Sequence, residues 1–459
     1  GTDPAIWHSG ATKKNKSIIW KGITENKIKI VIGARSSLFL PFKNLGIIIV
    51  DEEHDASYKQ DEGICYNARD MAITRASLEN IPINLVTSIP SIETYNNIVN
   101  KKYNITKLKK RYQEASMPNI EIIDLHSQSL DKDSWIPNVT INKVNKYLDK
   151  GDQVLFFLNR RGYAPFVVCK KCRNKFQCPN CAVNLNFHKK INKLLCHHCG
   201  HKSSLLRKCN NNKKCDLLFC GPGVERIFAE LKKIYPEKKI EIFSSDTLGK
   251  NKLTNDLLKK VEKKQIDILI GTQLLSKGFH FPKLNCIVVV DGDFSSHGYD
   301  LRSAEKNIQL YHQLSGRAGR TGDISTIFFQ TYTPDDEVLL NISKNNPQIF
   351  LEKELMLRKE KKLPPFYRLI SLIISGKNES LIMGFAINIK SKLPKINNVN
   401  ILGPVLAPIT KLKNRYRCRI LIKYPKNLFI QKYLSQSLNK IKIFPGIKLE
   451  VDVDPNNFS

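Results

Sequence analysis

Long apolar runs are missing from this sequence of 459 residues. Its longest apolar stretches, such as Leu45–Val50 and Ile268–Ile270, have the length of buried strands, whereas a membrane-spanning helix needs about 18 residues or more. The N-terminus, from Gly1 on, lacks the basic and then apolar segments of a signal peptide. Both absences predict a cytoplasmic protein with no membrane partner.

Negative charge is also scarce, with 42 Asp and Glu residues against 74 Lys and Arg residues, for a formal net charge of +32. Such a surplus favours a polyanionic partner, because neutralised phosphates release counterions when a nucleic acid is bound. The alternative is codon bias, since the lysines are scattered and accompanied by many Asn and Ile residues. With 41% hydrophobic residues, the composition excludes a disordered chain.

A third absence concerns nucleotide binding, because the sequence contains no Gly-x4-Gly-Lys-Ser/Thr. That P-loop supplies the backbone cradle and the lysine that hold nucleotide phosphates. Its absence argues against nucleotide hydrolysis by the chain as written.

Cysteine is abundant, and eight of the 12 cysteines fall in one segment. A Cys-x2-Cys knuckle places two thiolates on one turn, and two knuckles complete a tetrahedral zinc site. Three knuckles and a looser fourth pair predict two structural zinc ions, with iron–sulfur ligation as the alternative. The cysteines outside the segment are expected to pack as small apolar residues: Cys65, Cys220, Cys286 and Cys418. The eight candidate ligands are Cys169, Cys172, Cys178, Cys181, Cys196, Cys199, Cys209 and Cys215.

Alternating strands and helices predict an α/β fold with parallel sheets flanked by helices. Residues 117–133 look irregular, which indicates a crossing between two lobes. After about residue 333 the pattern changes to strands around one helix at Leu381–Leu393, which is typical of a small α+β domain.

Two motifs at the ends of predicted elements carry the chemistry. Asp51-Glu52-Glu53-His54 follows a predicted buried strand and has the form of a Walker B motif, in which one carboxylate holds Mg²⁺ and the next orients the attacking water. Arg317 and Arg320 lie at the end of a predicted helix, where glycines interrupt the helix and allow both side chains to reach a γ-phosphate. The alternatives are a common acidic strand-end loop and a solvated basic turn.

Two further strand ends carry small and polar residues suited to phosphate contacts, either of a nucleotide or of a nucleic acid. One is the segment from Gly271 to Gly278, and the other runs from Asn159 to Gly162.

Together these motifs resemble superfamily 2 helicases, and more closely the PriA (primosomal protein N′) family of replication-restart helicases. The resemblance covers nearly the whole chain, and its specific segments are Val31–Phe42, Ile49–Gln60, Leu158–Gly162, the cysteine cluster, Leu269–Gly278, Gln313–Arg320, Leu363–Phe366, Leu402–Val405 and Val451–Pro455. It implies a 3′→5′ DNA helicase driven by ATP and Mg²⁺ that binds stalled forks. It also implies two partner classes, primosome proteins and single-stranded-DNA-binding protein.

The resemblance also implies roles for individual residues. Asp51 would bind Mg²⁺, Glu52 would activate water, and Arg317 and Arg320 would act on the phosphates. Nucleotide binding and coupling to DNA would fall to His54, Gln313 and Gly278, and DNA contacts to Arg160, Thr272, Gln273 and Lys277. The inner zinc would be held by Cys178, Cys181, Cys196 and Cys199, and the outer zinc by Cys169, Cys172, Cys209 and one more residue.

Three departures from the family pattern bear on these roles. The P-loop, which in the family lies upstream of the point where this sequence begins, is absent, so we expect an incomplete helicase or a shortened relative. Asn212 stands at the family's eighth cysteine, and Cys215 is the substitute. Ile89 replaces a hydroxyl-bearing residue of the family's Ser-Ala-Thr-Pro motif, which here reads Thr87-Ser-Ile-Pro90, and is expected to weaken coupling between the lobes.

The predicted architecture is two RecA-like helicase lobes, the first incomplete, with a zinc-binding insertion in the second lobe and a C-terminal α+β domain. The predicted boundaries are 1–115 for lobe 1, 116–165 for the crossing and the start of lobe 2, 166–222 for the insertion, 223–335 for lobe 2 and 336–459 for the C-terminal domain. Two functions compete, an ATP-driven helicase and a non-catalytic DNA-binding primosome adaptor. A zinc-ribbon RNA-binding protein is the third alternative, and it explains neither the acidic motif nor the arginine pair.

Overall fold

The computed structural model describes residues 3–60, 63–108, 117–130, 134–158, 167–169, 176, 185–188, 193–195, 201–204, 217–219, 224–243, 251–272, 281, 283–293, 301–318, 325–344, 346–412 and 414–456. Internal contacts divide the chain into two compact units, Gly1–Ser91 and Ile92–Ser459. Among the described helices, none has both the length and the apolar character needed to cross a bilayer.

The first unit is built from short strand pairs and two helices. β1 pairs with β2 and β3 with β6, both in parallel, whereas β4 and β5 form an antiparallel pair. Residues Ala68–Leu78 form helix α2, whose N-terminus Asn67 caps by accepting from the amide of Arg69. The elements are β1 (Ala5–Trp7), α1 (Lys13–Thr24), β2 (Val31–Gly33), β3 (Ile48–Val50), β4 (Lys59–Gln60), β5 (Tyr66–Asn67), α2 (Ala68–Leu78) and β6 (Ile83–Leu85).

The prediction of a continuous buried strand over Leu45–Val50 is wrong in its extent and burial. Only Ile48–Val50 is a strand, and the Ile49 side chain is 63% exposed. Ile6 on β1 and Ile32 on β2 are also exposed. One side of these short parallel pairs is therefore open to solvent in the described part of the first unit, so an apolar run here does not imply burial on both faces.

The second unit contains a six-stranded parallel sheet in the order β14-β15-β8-β16-β17-β7. Its elements, in chain order, are α3 (Ile92–Val99), β7 (Asn119–Asp124), α4 (Asn138–Leu148), β8 (Gln153–Phe157), β9 (Val167–Cys169), β10 (Asn186–His188), β11 (Lys193–Leu195), β12 (Lys202–Ser204), β13 (Leu217–Phe219), α5 (Val224–Ile234), β14 (Ile240–Phe243), α6 (Asn251–Glu262), β15 (Ile268–Gly271), β16 (Leu284–Val289), α7 (Ser303–Ser315), β17 (Thr326–Thr331), α8 (Glu337–Ser343), α9 (Pro347–Glu360), β18 (Tyr367–Gly376), α10 (Glu379–Lys392), β19 (Asn400–Leu412), β20 (Arg415–Pro425), α11 (Gln431–Asn439) and β21 (Lys448–Val453).

The central strands β8, β15, β16 and β17 are buried at every residue, as expected for a parallel sheet covered on both faces. Helices α4 and α5 supply apolar residues to the core on one face, including Val144, Leu148, Ile227 and Leu231. The α/β class predicted from strand–helix alternation is thus confirmed.

Residues 117–133 were predicted to be irregular, and this is wrong for Asn119–Asp124. These residues form the edge strand β7, which pairs with β17 from Asn119↔Thr326 to Asp124↔Thr331. Most residues of this strand are half-exposed or exposed, so it lacks the continuous apolar run of the central strands.

The C-terminal part of the chain is an antiparallel four-stranded sheet in the order β19-β20-β18-β21. α10 and α11 pack on one face through residues such as Phe385, Ile389 and Leu434. This arrangement confirms the predicted α+β domain, although β19 and α11 had no sequence prediction. α8 and α9 precede this sheet along the chain.

Candidate active site

The acidic motif lies at the carboxyl end of β3, next to the carboxyl end of β6. The Val86 amide donates to the Val50 carbonyl at 2.8 Å, and the Glu53 amide donates to the Val86 carbonyl at 3.0 Å. Because parallel strands end at the same edge, the acidic turn and the segment from Thr87 to Pro90 lie side by side.

Asp51 and Glu52 differ in their surroundings. Asp51 is exposed, and its Oδ1 accepts from the Glu52 amide at 3.0 Å. Glu52 has a left-handed backbone with φ of 49°, and its buried Oε2 has no hydrogen-bond partner among the described residues. Its Oε2 lies 3.6 Å from His54 Nδ1, which is beyond hydrogen-bond distance. Strained residues cluster at functional sites, and two adjacent carboxylates at a strand end fit a site for a hydrated divalent cation.

His54 connects the acidic turn to Thr87. His54 Nδ1 lies 2.6 Å from Thr87 Oγ1, and the Thr87 hydroxyl donates to the Ile89 carbonyl at 2.8 Å. These two contacts connect the imidazole of His54 to the backbone of Ile89 through the Thr87 hydroxyl. The buried Ile89 contributes only its backbone oxygen here, so Thr87 supplies the hydroxyl that contacts His54.

Glu53 is a site residue that the sequence interpretation missed. Its side chain is fully buried and accepts from the Ser91 amide at 2.6 Å, from the Ser91 hydroxyl at 3.0 Å and from Arg69 Nη1 at 3.0 Å. Glu53 thus stabilises the turn from within, whereas Asp51 and Glu52 remain accessible for chemistry. The sequence shows three adjacent acids and carries no signal for which one is buried.

Tyr58 closes the turn by donating from its hydroxyl to the Asp51 carbonyl at 2.6 Å. Burial, together with the carboxylates of Asp51 and Asp55, raises the pKa of Tyr58 to about 12. The ionised phenolate is therefore disfavoured in the folded protein.

This pKa shift predicts how stability depends on pH. The raised pKa gives a contribution that is fully present below the ordinary tyrosine pKa of about 10 and is lost as the pH rises to about 12. Tyr58→Phe, which removes one hydrogen bond, is expected to cost about 1 kcal/mol at pH 8 and less at pH 11. Urea unfolding at both pH values measures the difference, and an equal cost at the two would contradict the assignment.

In the second unit, α7 carries Gln313 near its C-terminal end, and Arg317 follows in the turn after the helix. Both residues are partly buried, and the Arg317 amide donates to the Leu314 carbonyl at 2.9 Å. Arg320 and Gly278 lie outside the described residues.

A buried ionic network, also missed from the sequence, holds the beginning of α7. Glu305 Oε1 accepts from the Ile92 amide at 2.9 Å, and its Oε2 accepts from Arg358 Nη2 at 2.9 Å and from Arg302 Nη1 at 3.4 Å. Arg302 also donates to both oxygens of Glu93, and Arg358 Nε donates to Glu354 at 2.7 Å. The network joins α3, α7 and α9.

The candidate DNA contacts follow two neighbouring strands. β8 and β15 are parallel, and the Leu158 amide donates to the Gly271 carbonyl at 2.9 Å. Thr272 directly follows β15 and is partly exposed. Arg160, Gln273 and Lys277 lie outside the described residues, so their positions stay predictions.

Two antiparallel ribbons accompany the cysteine cluster. β9 pairs with β13 so that Cys169 is opposite Leu217, and β10 pairs with β11 so that Asn186 is opposite Leu195. Of the eight predicted ligands only Cys169 lies in the described residues; Cys172, Cys178, Cys181, Cys196, Cys199, Cys209 and Cys215 lie outside them. No group of three or more metal-ligating side chains occurs within the described part.

The cysteines outside the cluster divide between core and surface. Cys286 and Cys418 are fully buried, and burial raises the pKa of both thiols, which confirms the prediction that they pack as apolar residues. For Cys65 the same prediction is wrong, because this residue is exposed just before β5. Cys220 lies outside the described residues.

Comparison with known proteins identifies the family. The chain is 45% identical over all 459 residues to the replication restart protein PriA of Rickettsia felis and spans 71% of that protein's length. The chain belongs to the PriA family. The PriA protein of Bacillus subtilis is 34% identical over 446 residues, which is 96% of this chain and 55% of that protein.

Two models of PriA domains match separate parts of the chain. The primosomal protein N C-terminal domain matches residues 359–456, and the PriA DNA helicase Cys-rich region matches residues 178–203. The second range contains the four predicted inner ligands. The matched region is a zinc ribbon, so the predicted zinc binding is confirmed at the level of the region, as is the predicted family.

Proposed function

We propose that this protein is an ATP-dependent 3′→5′ DNA helicase of the primosome that binds stalled forks and helps restart replication. The observation that carries the proposal is Glu52, which has a left-handed backbone and lies between the exposed Asp51 and His54, with its Oε2 3.6 Å from His54 Nδ1. Membership of the PriA family supports the restart role, and the domain boundaries predicted from the sequence are part of the proposal.

In this proposal the acidic turn and α7 divide the chemistry. Asp51 holds Mg²⁺, which when bound to ATP neutralises phosphate charge. Glu52 orients the attacking water, and Arg317 and Arg320 stabilise charge on the phosphates. His54, which is hydrogen-bonded to Thr87, links nucleotide binding to DNA binding together with Gln313 and Gly278.

DNA is the proposed macromolecular partner, either forked or single-stranded and without sequence preference. The net charge of +32 supports backbone contacts, which carry no base information. Arg160, Thr272, Gln273 and Lys277 contact the phosphates beyond β8 and β15 in this proposal. Primosome proteins and single-stranded-DNA-binding protein are the proposed protein partners.

The test of catalysis is DNA-stimulated ATP hydrolysis by the 459-residue chain and by Glu52→Gln. We expect the rate to fall about 100-fold or more in Glu52→Gln, because a general base contributes at least that factor. Glu79→Gln, an exposed carboxylate just after α2, is the matched control and should keep the wild-type rate.

The outcome also distinguishes the second candidate function. The second candidate is an ATPase-inactive DNA-binding primosome adaptor. If the wild-type chain binds single-stranded DNA but hydrolyses no ATP, the adaptor replaces the helicase. Equal hydrolysis by wild type and Glu52→Gln would remove Glu52 from the mechanism.

We also propose two structural zinc sites, an inner one at Cys178, Cys181, Cys196 and Cys199 and an outer one at Cys169, Cys172, Cys209 and Cys215. The strand registers support this grouping. Cys196 directly follows Leu195, whose partner Asn186 comes five residues after Cys181. Cys215 precedes Leu217, the partner of Cys169, by two residues, which supports Cys215 as the fourth outer ligand.

Cys196→Ser is expected to reduce bound zinc from two ions to one for each chain and to unfold the inner site locally, because structural zinc contributes folding free energy directly. Metal analysis of the dialysed protein measures the loss. Cys418→Ser, at a buried cysteine outside the cluster, is the control and should keep both ions. Unchanged zinc in Cys196→Ser would contradict the ligand set.

A further inference from the structure

Two adjacent backbone amides are each held by a buried carboxylate, and the two carboxylates belong to different units. Within the first unit, the Ser91 amide donates to Glu53 Oε1 at 2.6 Å. Within the second unit, the Ile92 amide donates to Glu305 Oε1 at 2.9 Å. The division between the two units falls at the peptide bond that joins these residues.

The surroundings make both hydrogen bonds hard to replace. Ser91 is 4% exposed and Ile92 is fully buried, so water does not compete for either amide. Charge-assisted hydrogen bonds to carboxylates are roughly twice as strong as neutral ones. Losing either acceptor would leave a buried donor unsatisfied.

The covalent geometry then limits how the two anchors can move. Peptide units are planar, and ψ of Ser91 is the one soft torsion between the two amide nitrogens. A displacement of Glu53 is therefore either taken up by the torsions of Ser91 and of the two glutamate side chains or transmitted to Glu305. Glu53 follows the candidate catalytic Glu52, and Glu305 lies two turns before Gln313 on the same helix.

We propose that Glu53 and Glu305 are positioning residues. By accepting hydrogen bonds from the adjacent amides of Ser91 and Ile92, they couple the acidic turn to α7. The link gives the chain a short covalent and hydrogen-bonded connection between the acidic turn that contains Glu52 and the helix that carries Gln313. The catalytic consequence rests on the proposed ATPase function, whereas the coupling itself is a property of the folded chain.

The test compares two double variants in which Arg358 is replaced by Met. Glu305→Leu with Arg358→Met removes the acceptor of the Ile92 amide, and it also removes the positive charge of Arg358 that pairs with Glu305. Glu354→Leu with Arg358→Met removes a comparable pair but keeps Glu305 at Ile92. Replacing a buried ion pair by apolar residues often leaves stability unchanged, so both proteins are expected to fold.

The readout is residue-resolved hydrogen exchange of the full chain without ligand. In the Glu305→Leu pair we expect the amides of Ile92, Ser91 and Glu53 to exchange about tenfold faster than in the Glu354→Leu pair. Acceleration of Ile92 alone, or equal acceleration in both pairs, would overturn the coupling. Glu305→Gln, which keeps a weaker acceptor, should show the same pattern at about threefold and decides the question if a double variant does not fold.

Hydrolysis provides a second readout that a purely structural role would not move. If the chain hydrolyses ATP, the Glu305→Leu pair should have a kcat about tenfold below that of the Glu354→Leu pair, with KM for ATP unchanged. A parallel change in KM would overturn positioning. A wild type without ATPase activity refutes the proposed function alone, because the exchange experiment needs no hydrolysis.

Discussion

Glu53→Ala is expected to lower the free energy of unfolding of the first unit by about 3–5 kcal/mol, because it removes the fully buried carboxylate partner of Arg69 and leaves Asp70, which is 57% exposed, to pair with this charge. Glu53 has a fully buried side chain, and the Arg69 side chain is 11% exposed. The substitution also removes the acceptor of the Ser91 amide and hydroxyl. Urea denaturation followed by the fluorescence of the first unit's Trp7 and Trp20 measures the change.

Two variants separate this effect from a general loss of carboxylate charge. Glu79→Ala removes an exposed partner of Arg75 and should cost less than about 1 kcal/mol. Glu53→Leu combined with Arg69→Met removes both charges and should recover most of the stability lost in Glu53→Ala. If Glu53→Ala proves as stable as Glu79→Ala, Glu53 does not hold the turn.

Arg358→Ala is the second large effect, with an expected loss of about 3–5 kcal/mol in the free energy of unfolding of the second unit. The Arg358 side chain is 3% exposed and pairs with Glu305 and Glu354. Burial lowers the pKa of Arg358, but the two glutamates outweigh burial and hold this pKa above its ordinary value. Truncation therefore leaves two buried carboxylates with fewer positive partners.

Lys353→Ala is the matched control on the same helix α9. Lys353 pairs with Glu337, and both side chains are more than half exposed, so its removal should cost less than about 1 kcal/mol. Denaturant midpoints of wild type and the two variants decide the comparison. An Arg358→Ala protein that unfolds with the Lys353→Ala midpoint would show that the network adds nothing to stability.

The three adjacent acids show where sequence patterns stop. The motif Asp51-Glu52-Glu53 predicted carboxylates at a strand end, and the structure places them there. The pattern could not separate the exposed Asp51, the strained Glu52 and the buried Glu53, because burial depends on Arg69 and Ser91, which lie 16 and 38 residues away. The pairing of Glu305 with Arg358 could not be predicted for the same reason, because these residues are 53 positions apart.

The edge strand β7 was the other feature that the sequence did not predict. β8 and β15 are continuous apolar runs because both of their faces are covered, and such runs can be recognised in the sequence. β7 is half-exposed, and its hydrogen bonds to β17 come from a segment some 200 residues later in the chain. Its strand conformation is decided by that pairing more than by its own residues.

Sequence alone therefore determined the family, the α/β class, the clustered cysteines and the motifs at strand ends, because these depend on residue types at short, regular spacings. Only the tertiary structure decided which glutamate is buried and that Thr87 supplies the hydroxyl that contacts His54. It also decided that the amides of Ser91 and Ile92 donate to Glu53 and Glu305. Those features arise from contacts between residues far apart in the chain, and burial gives each contact its strength by excluding water.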